Sequence, residues 1–339
     1  MSSSRALLTH LTGSAAVNKK MFLHLLWSIP LWFLYRWVKE TRRVSNKEHR
    51  YVFITGCDSG FGHLLAKHLD QRGFHVIAGC YTENGEVELK KISSERLSTV
   101  HVDVSDSQSV SKAAATINTL VGQKGLWGLV NNAGISVPTA PCDWLTVDDY
   151  KQMLSINLFG VIDVTLSLLP LIKKAKGRVV NVSSVFGRIS AFGGPYCVSK
   201  FGVEAFTDSL RLDMVPFGVK VLCIEPGFFK TNVSNQTIVG NCLKKQYDKL
   251  PQDVKDDYGS IFLETMVEEM NFRFKLLTDP DLMKVVGCME HAIAAVHPRT
   301  RYSPGWDAKL FWLPLSYMPS CIVDYLLLIN YPKLKISEK

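Results

Sequence analysis

The sequence predicts an α/β fold, a doubly wound parallel sheet in a single domain flanked by apolar segments at both ends. From Tyr51 onward, short Val/Ile-rich runs alternate with longer stretches of helical spacing, and that alternation builds a parallel sheet with helices on both faces. The runs end on Gly, Asn or Ser, as buried strands do. A glycine turn joins the first run to the first helical stretch.

Composition agrees with one large globular domain. The chain has 339 residues, 47% hydrophobic and 21% charged, with no repeat and no low-complexity tract. Its net charge of +8 is spread along the sequence, and no Lys/Arg stripe interleaved with aromatics marks a nucleic-acid site. A phosphate-bearing cofactor or an anionic membrane suits the charge better. The eight cysteines are scattered with no Cys-x-x-Cys pair, so neither a metal site nor a disulfide framework is expected.

Residues 1–20 contain no acidic side chain and read as an N-terminal extension, a transit-like segment or an upstream stretch before an alternative start at Met21. Residues 21–38, beginning "MFLHLLWSIPLWFLYRW", are flanked by Lys19 and Lys20 before and by Lys39, Arg42 and Arg43 after. This is the expected membrane anchor, although it is short for a span and carries His24, Pro30 and Arg36. A cleaved signal fits less well, because bulky "YRWVKE" follows where small residues belong.

The catalytic core is expected over residues 49–232. Its strands are "YVFITG", "FHVIAGC", "LSTVHVDVS", "GLWGLVNNAG", "GRVVNVSS" and "VKVLCIEPG". Between the first two, "GHLLAKHLDQRG" has helical spacing and stops on Gly73. Residues 233–309 break the rhythm with charged helical patches and read as a substrate lid followed by the end of the core. Residues 310–339 are apolar, but Pro314, Pro319 and Asp324 argue against a clean span, so packing over the site mouth or lying at a bilayer surface is expected.

The chemistry concentrates in a few motifs. "FITGCDSGFG" sets Gly56, Gly60 and Gly62 between a strand and a helix, where a bare backbone and a helix N-terminus can approach a pyrophosphate. Its spacing, Gly-x-x-x-Gly-x-Gly, departs from the Gly-x-Gly-x-x-Gly fingerprint. "GGPYCVSKFG" places Tyr196 and Lys200 one helical turn apart. A free phenol is a poor base at neutral pH, and an ammonium group nearby is expected to lower its pKa.

Taken in order, the glycine turn, "NNAG" at 131–134, "NVSS" at 181–184, "YCVSK" at 196–200 and "PG" at 226–227 resemble the short-chain dehydrogenase/reductase family. The resemblance covers roughly residues 50–232 and implies a Rossmann-type sheet. "ITGCDSGFG", "DWLT", "NLFG", "IEPGFFKTN" and "DAKLFWLPLSYMP" resemble its membrane-bound retinol and hydroxysteroid dehydrogenase branch.

The resemblance implies roles position by position. Tyr196 is the acid/base, Lys200 holds the nicotinamide ribose and favours the phenolate, Ser184 binds the reacting oxygen of the substrate, and Asn157 holds a water of a proton relay. Gly56, Ser59, Gly60, Phe61, Gly62, Asp103, Asn132, Ala133, Gly134, Pro226, Gly227 and Thr231 line the cofactor, together with Tyr196 and Lys200. No metal is expected. Cys80 stands where an acid usually meets the ribose, and no basic residue lies beside it or at Ser59. That pattern leans to NAD over NADP, with Glu83 assisting.

The function so implied is NAD-dependent oxidation of a hydrophobic alcohol, a retinol or a 3α-hydroxysteroid, in the endoplasmic reticulum membrane. The alternatives are an NADPH-dependent carbonyl reductase on the same substrates and a non-catalytic lipid binder. Implied partners are the retinoid or steroid, membrane lipid and a second copy in a homodimer. The acceptor-like "NVS" at Asn232 and "NQT" at Asn235 point to a lumenal lid, whereas the basic residues after the anchor point to a cytosolic domain.

Overall fold

The computed structural model describes residues 27–191, 194–231, 235–329 and 331–332. The expected extension over 1–20, the first part of the expected anchor, Asn232 and residues 333–339 lie outside them. The chain divides into two units, one taking in the residues up to Val44 with Ala294–Pro298, the other Ser45–Ile293 with Arg299–Lys339.

In the first unit, residues 27–41 form helix α1. Its large side chains face solvent, with Trp27 69% and Trp37 65% exposed. Arg43 then bridges to Ala295 in antiparallel fashion. The described part of α1 rises about 22 Å at about 1.5 Å per residue, short of the roughly 30 Å of a bilayer core. Among the described residues, the one helical run long and apolar enough to span is Val147–Ala175. It comprises α5 (Val147–Leu154), a π-helical turn (Ser155–Phe159) and α6 (Gly160–Ala175). Its Val164, Leu168 and Ile172 pack into the protein core, which accounts for its hydropathy.

The second unit is built on a seven-stranded sheet in the order β3-β2-β1-β4-β5-β6-β7. The strands are β1 (Tyr51–Thr55), β2 (His75–Cys80), β3 (Leu97–His101), β4 (Gly128–Asn131), β5 (Arg178–Val182), β6 (Lys220–Ile224) and β7 (Arg301–Tyr302). All neighbours pair in parallel. The six expected strands are present; β7 is an addition, only two residues long and headed by an arginine, so no hydrophobic run announces it. Helices α2 (Gly60–Gln71), α3 (Glu83–Ile92), α4 (Ser107–Val121), α6 and α7 (Gly194–Asp213) connect them. The order reverses between β1 and β4, the switch point at which such sheets open a crevice.

The segment after β6 is helical, with α8 (Gln236–Asp248), α9 (Gln252–Tyr258), α10 (Ser260–Leu277) and α11 (Met283–Ala294). Asn235 caps α8, accepting from the backbone N–H groups of Thr237 and Ile238 at 3.0 and 3.3 Å. Helices α8 to α10 wrap Trp144, which lies 5.1 Å from the ring of Tyr258 and 6.1 Å from that of Phe262. The chain ends on α12 (Leu313–Ser316) and α13 (Ser320–Leu328). Trp312 and Leu315 are buried beside Val185, Phe186 and Phe228, while Tyr325 remains 71% exposed.

Candidate active site

The strand ends around the switch point open into a cavity of about 530 Å³. Gly56 takes φ +68°, open to glycine without strain, and a Cβ there would meet Ala133 Cα at 2.8 Å. A Cβ on Gly62 would strike the Gly56 carbonyl, so α2 can sit this close to β1 only because position 62 is bare. Helix α2 carries no acidic residue in its first turn. Its N-terminus therefore presents a positive dipole end to the cavity, a cradle suited to the pyrophosphate of a dinucleotide.

Asn132 holds that cradle in shape. Its side-chain amide donates to the carbonyls of Thr55 and Gly56, both at 3.0 Å. Thr55 Oγ1 in turn accepts from the N–H groups of Asn132 and Ala133 at 3.0 and 3.1 Å. Asp103, at the end of β3, accepts from Ser105 N at 2.9 Å and lines the same cavity.

Ser184 follows β5 and caps a short 3₁₀ turn, accepting from Phe186 N at 3.2 Å. Its hydroxyl is hydrogen-bonded to the Tyr196 phenol. Tyr196, near the start of α7, is half-buried against the cavity, and that desolvation pushes its phenol up to about 12. Lys200, one turn on, is buried and donates to the Val182 carbonyl at 2.9 Å. Burial lowers its pKa to about 8. Its ammonium group lies 5.7 Å from the centre of the Tyr196 ring. The expected depression of the phenol by Lys200 is thus reversed, since burial outweighs a cation that is itself desolvated and turned to a carbonyl.

Asn157 is fully buried within the π-helical turn. Its amide donates to Ile135 O at 2.8 Å and Ser199 Oγ at 3.1 Å, and its oxygen accepts from Ile135 N at 2.8 Å. A Cβ on Gly134 would come within 3.1 Å of Asn157 Oδ1 and 3.8 Å of Lys200 Nζ. Asn157 and Gly62 therefore stand behind the wall, and the other expected residues line the cavity itself: Gly56, Ser59, Gly60, Phe61, Asp103, Asn132, Ala133, Gly134, Ser184, Tyr196, Lys200, Pro226, Gly227 and Thr231.

The aromatic part of the lining escapes the sequence reading. Phe186, Phe228, Val239, Met270 and Phe274 line the cavity, with Phe186 and Phe228 ring centres 5.5 Å apart and Phe228 and Phe274 5.3 Å apart. Their periodicity looks like ordinary core. Asp307 also escapes it. This fully buried acid accepts from Phe228 N at 2.9 Å and packs so closely on Gly227 that any Cβ there would overlap its carboxyl. Burial raises its pKa.

The family model described as short chain dehydrogenase matches residues 50–239. Retinol dehydrogenase 5 of Mus musculus is 51% identical over 92% of this chain and 98% of its own. For 17-beta-hydroxysteroid dehydrogenase type 6 of Homo sapiens the identity is 48%, over the same shares. Among solved structures, a gluconate 5-dehydrogenase from Burkholderia cenocepacia in complex with NADP and tartrate is 25% identical, with TM-score 0.50, covering 56% of this chain and 75% of its own.

That NADP complex overturns the expectation of NAD. The expectation rested on the lack of a basic side chain near Cys80 and Ser59. Cys80 is buried, and at the end of β2 the Tyr81 N, Thr82 N and Thr82 Oγ1 converge on Asp58 at 2.9, 2.8 and 2.6 Å, beside the N-terminus of α3. With those donors taken by the Asp58 carboxylate, the absence of a nearby lysine or arginine is a local feature of the chain and does not outweigh the cofactor bound in the related fold. With its sheet order, its glycine cradle and relatives of near-equal length, the chain belongs to the short-chain dehydrogenase family, an NAD(P)-dependent oxidoreductase on the branch of the retinol and 17-beta-hydroxysteroid dehydrogenases.

Proposed function

We propose that the protein is an NADPH-dependent carbonyl reductase that converts a hydrophobic aldehyde or ketone, a retinal or a ketosteroid, to its alcohol. The observation that carries the reading is the meeting of Ser184, Tyr196 and Lys200 in one cavity that Phe186, Phe228 and Phe274 also line. A bound reduced nicotinamide supplies the hydride. Tyr196 supplies the proton, for a phenol near 12 stays protonated at neutral pH and is ready to donate to an oxygen gaining charge. The Ser184 hydroxyl orients that oxygen beside the phenol. Lys200, charged below about pH 8, favours the phenolate that the donation leaves. Asn157 acts one step back, pinning the Ile135 backbone and Ser199 around Lys200.

The aromatic wall excludes water and suits an extended apolar substrate, since burial of such surface contributes about 25 cal/mol per Å². Exposed apolar residues on α1 and α13 support attachment to the endoplasmic reticulum membrane, where such substrates partition. The test is reduction of all-trans-retinal and a 3-ketosteroid by membrane fractions carrying the full chain, with NADPH and NADH side by side. NADPH-supported turnover of either is expected; absence of turnover on both removes the reading.

A further inference from the structure

Behind the reacting wall lies a buried charge cluster that the mechanism above leaves unused. Lys200 and Glu204 are each 6% exposed and lie one turn apart on the buried face of α7. The Lys200 ammonium donates to the neutral Val182 carbonyl, which orients the group without balancing its charge. Glu204 accepts from Cys223 Sγ on β6 at 3.2 Å and from the guanidinium of Arg301 on β7. Arg301 is itself shared, reaching Glu225 at 2.8 Å and both oxygens of Asp208 at 2.9 and 2.8 Å. Glu225 has further partners in Arg188 at 3.1 Å and Ser303 at 3.0 Å, and Asp208 has Arg211 at 3.1 Å.

We propose that Glu204 is a positioning residue for Lys200: clamped by Arg301, its carboxylate keeps the neighbouring ammonium charged and aimed along the buried face of α7. The proposal rests on the reading of Lys200 as part of the reacting site. The charged and titratable groups around Lys200 are Tyr196 and Glu204 from its own helix, Cys223 and Glu225 from β6, and Arg301 from β7. Burial holds the Cys223 thiol far above its ordinary value, so it is neutral and supplies no counter-charge. Tyr196 is neutral as well. Glu225 is engaged by two guanidinium groups. Glu204 is the carboxylate on Lys200's own buried helix face, one turn on, where its ion pair with Arg301 fixes it in place, and an opposite charge nearby favours the charged form of the amine. The loop after Ser184 rests directly on the pair, because a Cβ on Gly187 would meet Glu204 Cγ at 2.8 Å and Lys200 O at 2.9 Å.

The experiment is the pH profile of kcat/KM for carbonyl reduction by the full-length protein and its variants, with thermal unfolding recorded in parallel. In the parent protein activity falls as pH rises through about 8, where Lys200 loses its proton. Glu204→Gln should move that alkaline limb down by about one pH unit, giving roughly tenfold lower kcat/KM at about pH 9 and a change within about twofold at about pH 6. Glu204→Asp should restore most of the limb. If Glu204→Gln alone leaves Arg301 too poorly paired to fold, Arg301→Gln, which strips the offsetting cation from Glu204, Glu225 and Asp208, should move the limb the other way, to higher pH, and an unmoved limb in that folded variant likewise overturns the proposal. A lowered melting temperature with an unmoved limb would mean that Glu204 serves only the sheet edge, and the proposal falls. Lys200→Met separates the two layers: inactivity at every pH upholds the underlying reading, whereas parent-like activity removes that reading and this proposal together.

Discussion

Strand β5 has a buried cation at each end, and the two are held in opposite ways. At its start, Arg178 is 2% exposed, stacks 4.2 Å from the centre of the Trp127 ring and donates to the Ala292 carbonyl at 2.9 Å. Arg50 also lies over that ring, at 3.6 Å. Past its end, Lys200 donates to the Val182 carbonyl, faces a cavity and has an acid one turn behind it. Burial lowers both, Arg178 to about 9 and Lys200 to about 8. A shift in the same direction from the same cause therefore says little about role. Arg178 meets an aromatic face and a carbonyl, and it does not line the cavity. Lys200 has a titratable phenol in front and a carboxylate behind.

The contrast can be broken experimentally from either end. Tyr196→Phe deletes the proton donor and should lower kcat for reduction by about 10³-fold, while titration of cofactor binding by fluorescence stays close to the parent value. Retained turnover would make the cavity end as inert as the other. Trp127→Ala removes the ring that both guanidinium groups contact and should cost about 3 kcal/mol of stability, read as a lower unfolding midpoint with kcat per folded molecule unchanged. A loss of kcat without a loss of stability would show that the Arg178 end does reach the chemistry.

Smaller effects sharpen the comparison. Gly62→Ala drives a methyl group into the Gly56 carbonyl and the Asn132 amide. Dinucleotide affinity should weaken about tenfold or more, a cost of roughly 1.4 kcal/mol, measured by calorimetry. Phe274→Ala removes part of the aromatic wall and should raise KM for a retinoid by about tenfold with kcat little changed, since a shortened apolar contact is worth about 1–3 kcal/mol. An equal fall in kcat would show that the wall also sets the pose of the reacting carbon.

Much of the site was legible because its residues are tied to local backbone needs. Gly56 and Gly62 sit where a side chain collides, and Tyr196 and Lys200 are neighbours through helical geometry alone. Ser184 is legible only by resemblance, since a serine after a strand has many uses. Phe228, Met270 and Phe274 come from separate stretches, and each looks like core until the lid folds over the strand ends. Asp307 is farther still, 80 positions beyond the Gly227 it packs against.

The sequence by itself determined the alternation of strand and helix, the glycine cradle and the spacing of tyrosine and lysine, because each depends on contacts within one or two turns of chain. Tertiary structure alone decided the protonation of that tyrosine, the aromatic lining and the clamp on Glu204. Those depend on which distant groups exclude water from a given atom, and desolvation is a property of the assembled surroundings that no local spacing encodes.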